Sequence, residues 1–346
     1  MGMNAPLTAV FRSDASSTIG SGHIMRCLTL AEGLKTRGWH CIFTCSKDTL
    51  KAVSMLAISG FEVIEPEETG ALKTDLLIVD HYGLDSAYES AARAWSGKIA
   101  VLDDLADRLH DCDLLIDQTY GRSAVDYQNL TPAGCRIITG SQYMLLRPQF
   151  AMARAKAKKR RSENNPLKRV LVAVGSLNYN NIVPKIIEGL MLVSDGNLQI
   201  DVVLSSGAEN MDDVRRAISS LNSKGQHSAD LHLDVQDMAA LMVVADIAIG
   251  AGGTTTWERC CLGLPTLMVE LADNQIPTIQ ALEKAGAIIP MGHAKTLSAE
   301  KIAEYVQNVA ISPDMLNQLA EASFEICDGM GLERSLIALE DICFQA

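Results

Sequence analysis

Short apolar runs alternate along this chain with longer stretches whose apolar residues recur at helical spacing. Leu7–Arg12 predicts a strand and Ile19–Gly22 a loop. Ile24, Leu28, Ala31 and Leu34 then mark a helix from His23 to Thr36, which Gly38 stops. Cys41–Thr44 predicts a second strand. Leu76–Val79, Ile99–Leu102 and Leu114–Ile116 are compact apolar runs ending at Asp80, at Asp103-Asp104 and at Asp117. Buried parallel strands have this look, and their C-terminal ends open onto a ligand crevice. Residues 1–150 therefore read as one doubly wound α/β domain.

The pattern restarts after residue 168. Arg169–Val174, Leu198–Leu204, Ile247–Ile249 and Thr266–Val269 predict strands, and Ile182–Leu192, Thr255–Leu262 and Ile276–Ala285 predict helices. A second α/β domain is expected over 168–328, and a last helix, 329–346, is expected to pack back towards the first domain. Residues 151–167 carry Arg154-Ala-Lys-Ala-Lys-Lys-Arg-Arg161 and the polar Ser162–Pro166, and read as a linker or solvated helix face. At 346 residues the chain exceeds what one core comfortably fills, which agrees with two domains. A cleft between two such domains is the expected place for a ligand.

Composition narrows the class. The chain is 48% hydrophobic and 21% charged, which excludes disorder. Its formal net charge of −12 disfavours nucleic acid and anionic membrane as partners, while backbone N–H groups can still bind phosphate. Nine cysteines form no CxxC pair and read as reduced, mostly buried thiols of a cytoplasmic protein. Neither a signal peptide nor an apolar membrane span is expected.

Two segments carry candidate chemistry. Gly250-Ala-Gly-Gly-Thr-Thr-Thr-Trp-Glu258 follows a predicted strand and opens a helix. Glycine admits a ligand close to the backbone, and the exposed N–H groups favour an anion such as a diphosphate. It lacks the lysine of GxxxxGK[ST] and the order GxGxxG. Taken alone, it fits an anion cradle and a capped glycine turn equally well. Glu258 suits the two hydroxyls of a ribose or a first-turn acid, and Asn274 suits a cleft-facing amide or an N-cap.

The other segment is Arg12-Ser-Asp14, then Ile19-Gly-Ser-Gly-His23, then Arg26-Cys27. His23 follows Gly-x-Gly at a strand-to-helix junction, where a helix N-terminus disfavours the imidazolium and leaves the ring to act as a base. His81, beside Tyr82 at the end of a predicted strand, is its rival. The histidines lack HExxH spacing, the cysteines lack a zinc pattern, and no GxSxG elbow is present. No metal and no cofactor are expected.

Phe11–Cys27 resembles the N-terminal signature of the UDP-2,4-diacetamido-2,4,6-trideoxy-β-L-altropyranose hydrolases of pseudaminic acid biosynthesis. Asp80-His-Tyr82, Asp103-Asp-Leu-Ala106, Asp117-Gln118, Leu145–Phe150, Gly252–Glu258, Asn274-Gln275 and Asp328–Arg334 match the family in order, over nearly the whole chain. The resemblance implies a GT-B fold of two Rossmann-like domains facing a cleft, related to the N-acetylglucosaminyltransferase that completes lipid II. It implies metal-independent hydrolysis of a UDP-linked sugar for a nonulosonic acid, destined for a bacterial surface glycan or flagellin, with UDP-sugar and UDP as ligands. His23 would activate water, with Tyr82 and Asn274 beside the reacting sugar. Gly252, Gly253, Thr254 and Thr255 would hold phosphate, Glu258 the ribose, and the backbone near Val235–Met238 the uracil. Arg12, Asp14, Gly20, Gly22, Arg26, Ser176, Asn178 and Gln275 complete the expected substrate-binding set. The family shows Gly-Gly-x-Asp where this chain has Gly175-Ser176-Leu177-Asn178, a departure that bears on which sugar is accepted. The chain is expected to act as a monomer. A transferase using a sugar or lipid acceptor and a non-catalytic nucleotide-sugar binder are the alternatives.

Overall fold

A computed structural model describes residues 6–15, 22–163, 166–175, 181–194 and 196–344. The chain divides into two compact units, 1–147 with 329–346, and 148–328.

In the first unit, strands β1 (Thr8–Ser13), β2 (His40–Thr44), β3 (Glu62–Ile64), β4 (Thr74–Asp80), β5 (Ser96–Leu102), β6 (Leu114–Asp117) and β7 (Arg136–Thr139) form one sheet. Its order is β3-β2-β1-β4-β5-β6-β7, and the pairings are parallel. Helices α1 (Gly22–Thr36), α2 (Lys47–Ala52), α3 (Ser54–Ile58) and α4 (Ser86–Ala92) fill the early connections. The order reverses between β1 and β4, so the chain leaves these neighbours towards opposite edges and opens a crevice at their C-terminal ends. Register places Ser13 against Asp80 there.

The second unit begins with α5 (Pro148–Arg161) and continues through β8 (Arg169–Ala173), α6 (Ile182–Met191), β9 (Gln199–Leu204), α7 (Met211–Lys224), β10 (Ser228–Leu233) and α8 (Met238–Val244). It goes on through β11 (Ile247–Ala251), α9 (Thr255–Cys261), β12 (Thr266–Glu270), α10 (Ile276–Lys284), β13 (Ile288–His293), α11 (Ala299–Ala310) and α12 (Pro313–Ile326). Its parallel sheet runs β10-β9-β8-β11-β12-β13, with the reversal between β8 and β11. Ile182, Val183, Ile186, Ile187 and Leu190 give α6 one apolar face, which lies in the core with Val170, Val172 and Ile249. Gly189 lets α11 come close, since a Cβ there would stand 2.6 Å from Ile302 Cβ.

The final helix, α13 (Gly331–Phe344), belongs to the first unit. Leu336, Ala338 and Leu339 are buried with Leu30, Ala31 and Leu34 of α1, each leucine worth about 1.5–3 kcal/mol. Arg37 pairs with Glu333 at 2.6 Å and with Glu340.

The stretch read as a linker or solvated helix face is a helix with a second, buried role. Residues 148–161 are the helix α5 of the second unit; Lys156, Lys158 and Lys159 are exposed on it as a solvated face would have them, while Arg154 and Arg161 point at helix ends. Arg161 donates to the Met242 and Ala245 carbonyls at the C-terminal end of α8 and to Gly263 O after α9, at 2.8, 2.6 and 3.1 Å. Arg154 donates to Cys261 O, Phe324 O and Cys327 O at 2.6, 2.8 and 2.7 Å, at the ends of α9 and α12. Cations there satisfy orphan carbonyls at the negative end of the helix dipole. None of the nine cysteines is in a disulfide, with Cys135 and Cys343 half-buried and the rest buried. No described helix is long and apolar enough to cross a membrane.

Candidate active site

The apolar run of β4 carries Asp80 to its C-terminal end, where it is fully buried. Next to it, α1 begins at Gly22, and its first turns present His23 and Arg26 on one face, three residues apart. His23 Nδ1 lies 2.5 Å from Asp80 Oδ1. Arg26 grips the same carboxylate with Nε on Oδ2 and Nη2 on Oδ1, both at 2.6 Å, and sends Nη1 to Asp104 Oδ2 at 2.9 Å. Burial alone would raise the Asp80 carboxyl, but the Arg26 guanidinium and the His23 ring outweigh it and hold it well below the usual carboxylate range.

A carboxylate accepts only, so the proton on His23 sits on Nδ1 and points at Asp80. Arg26 Nη2, 3.1 Å from the same nitrogen, is already spent on Asp80. That leaves Nε2 as the lone-pair nitrogen, and among the described residues it has no hydrogen-bond partner. The Tyr82 ring meets the imidazole edge-on, with centroids 4.4 Å apart and planes at 89°. Burial pushes the Tyr82 phenol up, and Asp104 adds to it, so it is a hydroxyl donor at neutral pH. Asp104 Oδ1 is enclosed without a partner among the described residues.

His81 is placed differently. Its Nδ1 accepts from Gly83 N–H at 2.9 Å, so the ring proton is on Nε2, which faces Asp14 Oδ2 at 3.3 Å. With both nitrogens engaged, His81 has no free lone pair, unlike His23 at Nε2. Asp14 also accepts from Arg12 Nη2 at 2.9 Å, from Ser46 N–H at 2.7 Å and from Thr49 Oγ1 at 3.2 Å. Burial raises its carboxyl, and His81 and Arg12 together bring it well below the usual range. Arg12 and Asp14 thus tie the ends of β1, β2 and β4 together beside His23.

In the second unit the glycine turn leaves β11 at the strand-order reversal, with Gly250 against Ala173 of β8. A Cβ on Gly252 would stand 3.1 Å from Gln275 Cβ, while one on Gly253 would meet nothing within 4 Å. Gly252 is therefore glycine for packing, and Gly253 faces open space. Thr254 and Gly253 are exposed, and Thr255 Oγ1 accepts from Arg259 Nη1 at 3.1 Å. Glu258 is half-buried on α9. Gln275 anchors its Oε1 on Leu271 N–H at 3.1 Å and is itself the N-cap position of α10. Asn274 lies one residue earlier, exposed in the short 3-10 turn Asp273–Gln275, so the N-cap reading of Asn274 does not hold. Met238 opens α8 with its side chain buried. Gly22 begins α1. Gly20, Ser176 and Asn178 lie outside the described residues.

Asp80, Asp104 and Arg259 were not among the residues the sequence singled out as ligands or catalysts. The signal for Asp80 was present, an acid ending an apolar run, but two other runs end the same way. Glu270, Asp273 and His293 have donor atoms within 4.8 Å of one another, a metal-like spacing. His293 Nδ1, however, accepts from Lys295 N–H at 3.0 Å, so that lone pair is engaged and the proton of the neutral ring is on Nε2. A metal-bound histidine needs the reverse arrangement.

The whole chain matches the crystal structure of Acinetobacter baumannii MurG with a TM-score of 0.71 at 13% identity, over 97% of this chain and 100% of that one. The fold is GT-B. Residues 169–330 match the family described as the glycosyltransferase family 28 C-terminal domain. The spore coat polysaccharide biosynthesis protein SpsG of Bacillus subtilis is 26% identical over 344 residues, 95% of this chain and 97% of its own length. The UDP-2,4-diacetamido-2,4,6-trideoxy-β-L-altropyranose hydrolase of Campylobacter jejuni is 26% identical over 287 residues, 81% of this chain and 97% of its own. In this GT-B chain, the His23–Asp80 pair and the Gly250–Gly253 turn each stand at the strand-order reversal of their own sheet.

Proposed function

We propose that the protein hydrolyses a UDP-linked 2,4-diacetamido-2,4,6-trideoxyhexose, such as UDP-2,4-diacetamido-2,4,6-trideoxy-β-L-altropyranose, to free sugar and UDP, with His23 as the general base. The observation that carries this is the His23–Asp80 pair, 2.5 Å apart, with its second ring nitrogen free of partners among the described residues. The likeness to the Campylobacter jejuni hydrolase supports the choice of water as acceptor.

In this mechanism the second unit holds UDP: the Gly252–Thr255 turn takes the diphosphate and Glu258 the ribose hydroxyls. The first unit supplies the base. A water oxygen attacks the anomeric carbon while His23 Nε2 takes one of its protons. The bond from that carbon to the phosphate oxygen breaks, and the electron pair leaves on UDP. Asp80 keeps the proton on Nδ1 and stabilises the imidazolium that forms, which afterwards gives its proton to solvent. A single displacement of this kind inverts the anomeric centre. Tyr82, Asn274 and Asp104 are assigned to the sugar.

A transferase reading is favoured by one observation, the family 28 match over residues 169–330. The same base would then deprotonate an acceptor hydroxyl. Incubating the protein with the UDP-sugar and no acceptor separates the readings. Free inverted sugar and UDP, followed by NMR, are expected. UDP release only after an acceptor is added points to the transferase, and binding without product under either condition to a non-catalytic protein.

A further inference from the structure

Arg259 is 1% exposed, yet its guanidinium has no carboxylate partner among the described residues. Nη2 donates to Ala251 O at 2.8 Å and to Thr256 Oγ1 at 3.1 Å, and Nη1 to Thr255 Oγ1 at 3.1 Å. Nε is buried with no partner among the described residues. Each acceptor is neutral. The other enclosed arginines are compensated: Arg26 by Asp80 and Asp104, Arg169 by Asp201, Arg160 by Asp246, and Arg154 and Arg161 by carbonyls at helix C-termini. A buried guanidinium without an ion-pair partner is costly, and such a cost is met when an anion arrives.

Its position says where that anion would sit. A Cβ on Gly250 would stand 2.5 Å from Arg259 Nη1 and 2.7 Å from Cζ, so the guanidinium lies flat behind the start of the glycine turn. Helical side chains lean towards the N-terminus, and this one reaches back past Thr255 to Ala251. A cation is disfavoured at that end of a helix, so the charge adds to the local positive field instead of relieving it. Burial pushes the Arg259 pKa down to about 10, with Cys260 and Glu258 pulling the other way, which leaves it charged at neutral pH.

We propose that Arg259 is a positioning residue of the diphosphate subsite, fixing the Gly250–Gly253 turn from behind and supplying a charge, tied up in no ion pair among the described residues, that selects a nucleoside diphosphate over an uncharged nucleoside. This rests on the reading of that turn as the UDP-phosphate site.

Calorimetric titration of the full chain with UDP and with uridine tests it, in the wild type, R259Q and R259K. Glutamine keeps hydrogen-bond donors and removes the charge, and lysine keeps the charge. R259Q is expected to weaken UDP on the order of tenfold or more while uridine affinity stays within about twofold, and R259K to recover most of the loss. Equal loss for UDP and uridine, or an unchanged UDP affinity in R259Q, overturns the proposal and leaves Arg259 a structural clamp. Should R259Q not fold, R259K decides alone: a UDP-to-uridine ratio close to the wild type supports the proposal, and a collapsed ratio overturns it. A wild type that binds neither ligand defeats the UDP reading itself, a result distinct from these.

Discussion

At the residue scale, one fully buried carboxylate organises the first unit. Asp80 accepts two hydrogen bonds from Arg26 and holds the proton of His23. Replacing His23 with Asn removes the proposed base and leaves the second unit untouched. Turnover should fall by roughly 10²–10⁴-fold with UDP affinity unchanged, and steady-state kinetics beside UDP calorimetry would show it. Asp80→Asn leaves Arg26 buried against Asp104 alone, and should cost about 3–5 kcal/mol in denaturant unfolding. Because Asp80 is held below its unfolded value, its contribution is complete above the unfolded-chain carboxylate pKa of about 3.9. It is lost as pH falls through the folded value. The stability gap between wild type and Asp80→Asn should therefore be flat from neutral pH down to about 4 and narrow below it. A gap that widens on acidification would contradict this account of Asp80.

At the element scale, two helices outside the alternating core pattern each brace one unit, α13 the first and α5 the second. The last helix, α13, has a glycine at each of two close contacts, Gly331 in the helix itself and Gly33 in α1. A Cβ at Gly331 would strike the Met144 backbone at 2.3 Å, whereas one at Gly33 would meet the tip of Leu336 at 2.6 Å. Backbone cannot step aside as a leucine tip can. Gly331→Ala should therefore lower the melting temperature more than Gly33→Ala, the overpacking costing about 1–3 kcal/mol where it cannot relax. In α5, Arg161→Ala should cost about 1.5–3 kcal/mol by freeing buried carbonyls, and Lys159→Ala, exposed, should stay within about 0.5 kcal/mol. Equal effects would return α5 to a solvated face.

Legibility also follows from these elements. The central strands β1, β2, β4, β5, β6, β8, β9, β11 and β12 were readable to within a few residues, because burial on both faces writes a continuous apolar run. The strands not foreseen are β3, β7, β10 and β13, the four edges of the two sheets. Glu62–Ile64 and Ser228–Leu233 are half-buried and mix acids with apolar residues, which hides them from a search for apolar runs. The basic run of α5 misled for a related reason: charge pattern alone cannot show that arginines face carbonyls 81 to 173 residues away.

At the scale of the whole molecule, the GT-B fold was legible from the restart of the strand–helix alternation and from the order of motifs. His23 was legible from its Gly-x-Gly context. Its partner was not, because Asp80 lies 57 residues away and one sequence cannot say which strand end meets which loop. Arg259 was hidden for the opposite reason, since an arginine one turn into a helix looks like a solvated charge. The central claim is that His23 directs water at the anomeric carbon of a UDP-sugar. It is tested most directly by turnover in ¹⁸O-labelled water with no acceptor present, read by mass spectrometry at short times. The account predicts UDP without label, released in step with free sugar carrying label at the anomeric oxygen. Label in the β-phosphate of UDP, or no UDP until an acceptor is supplied, would contradict it.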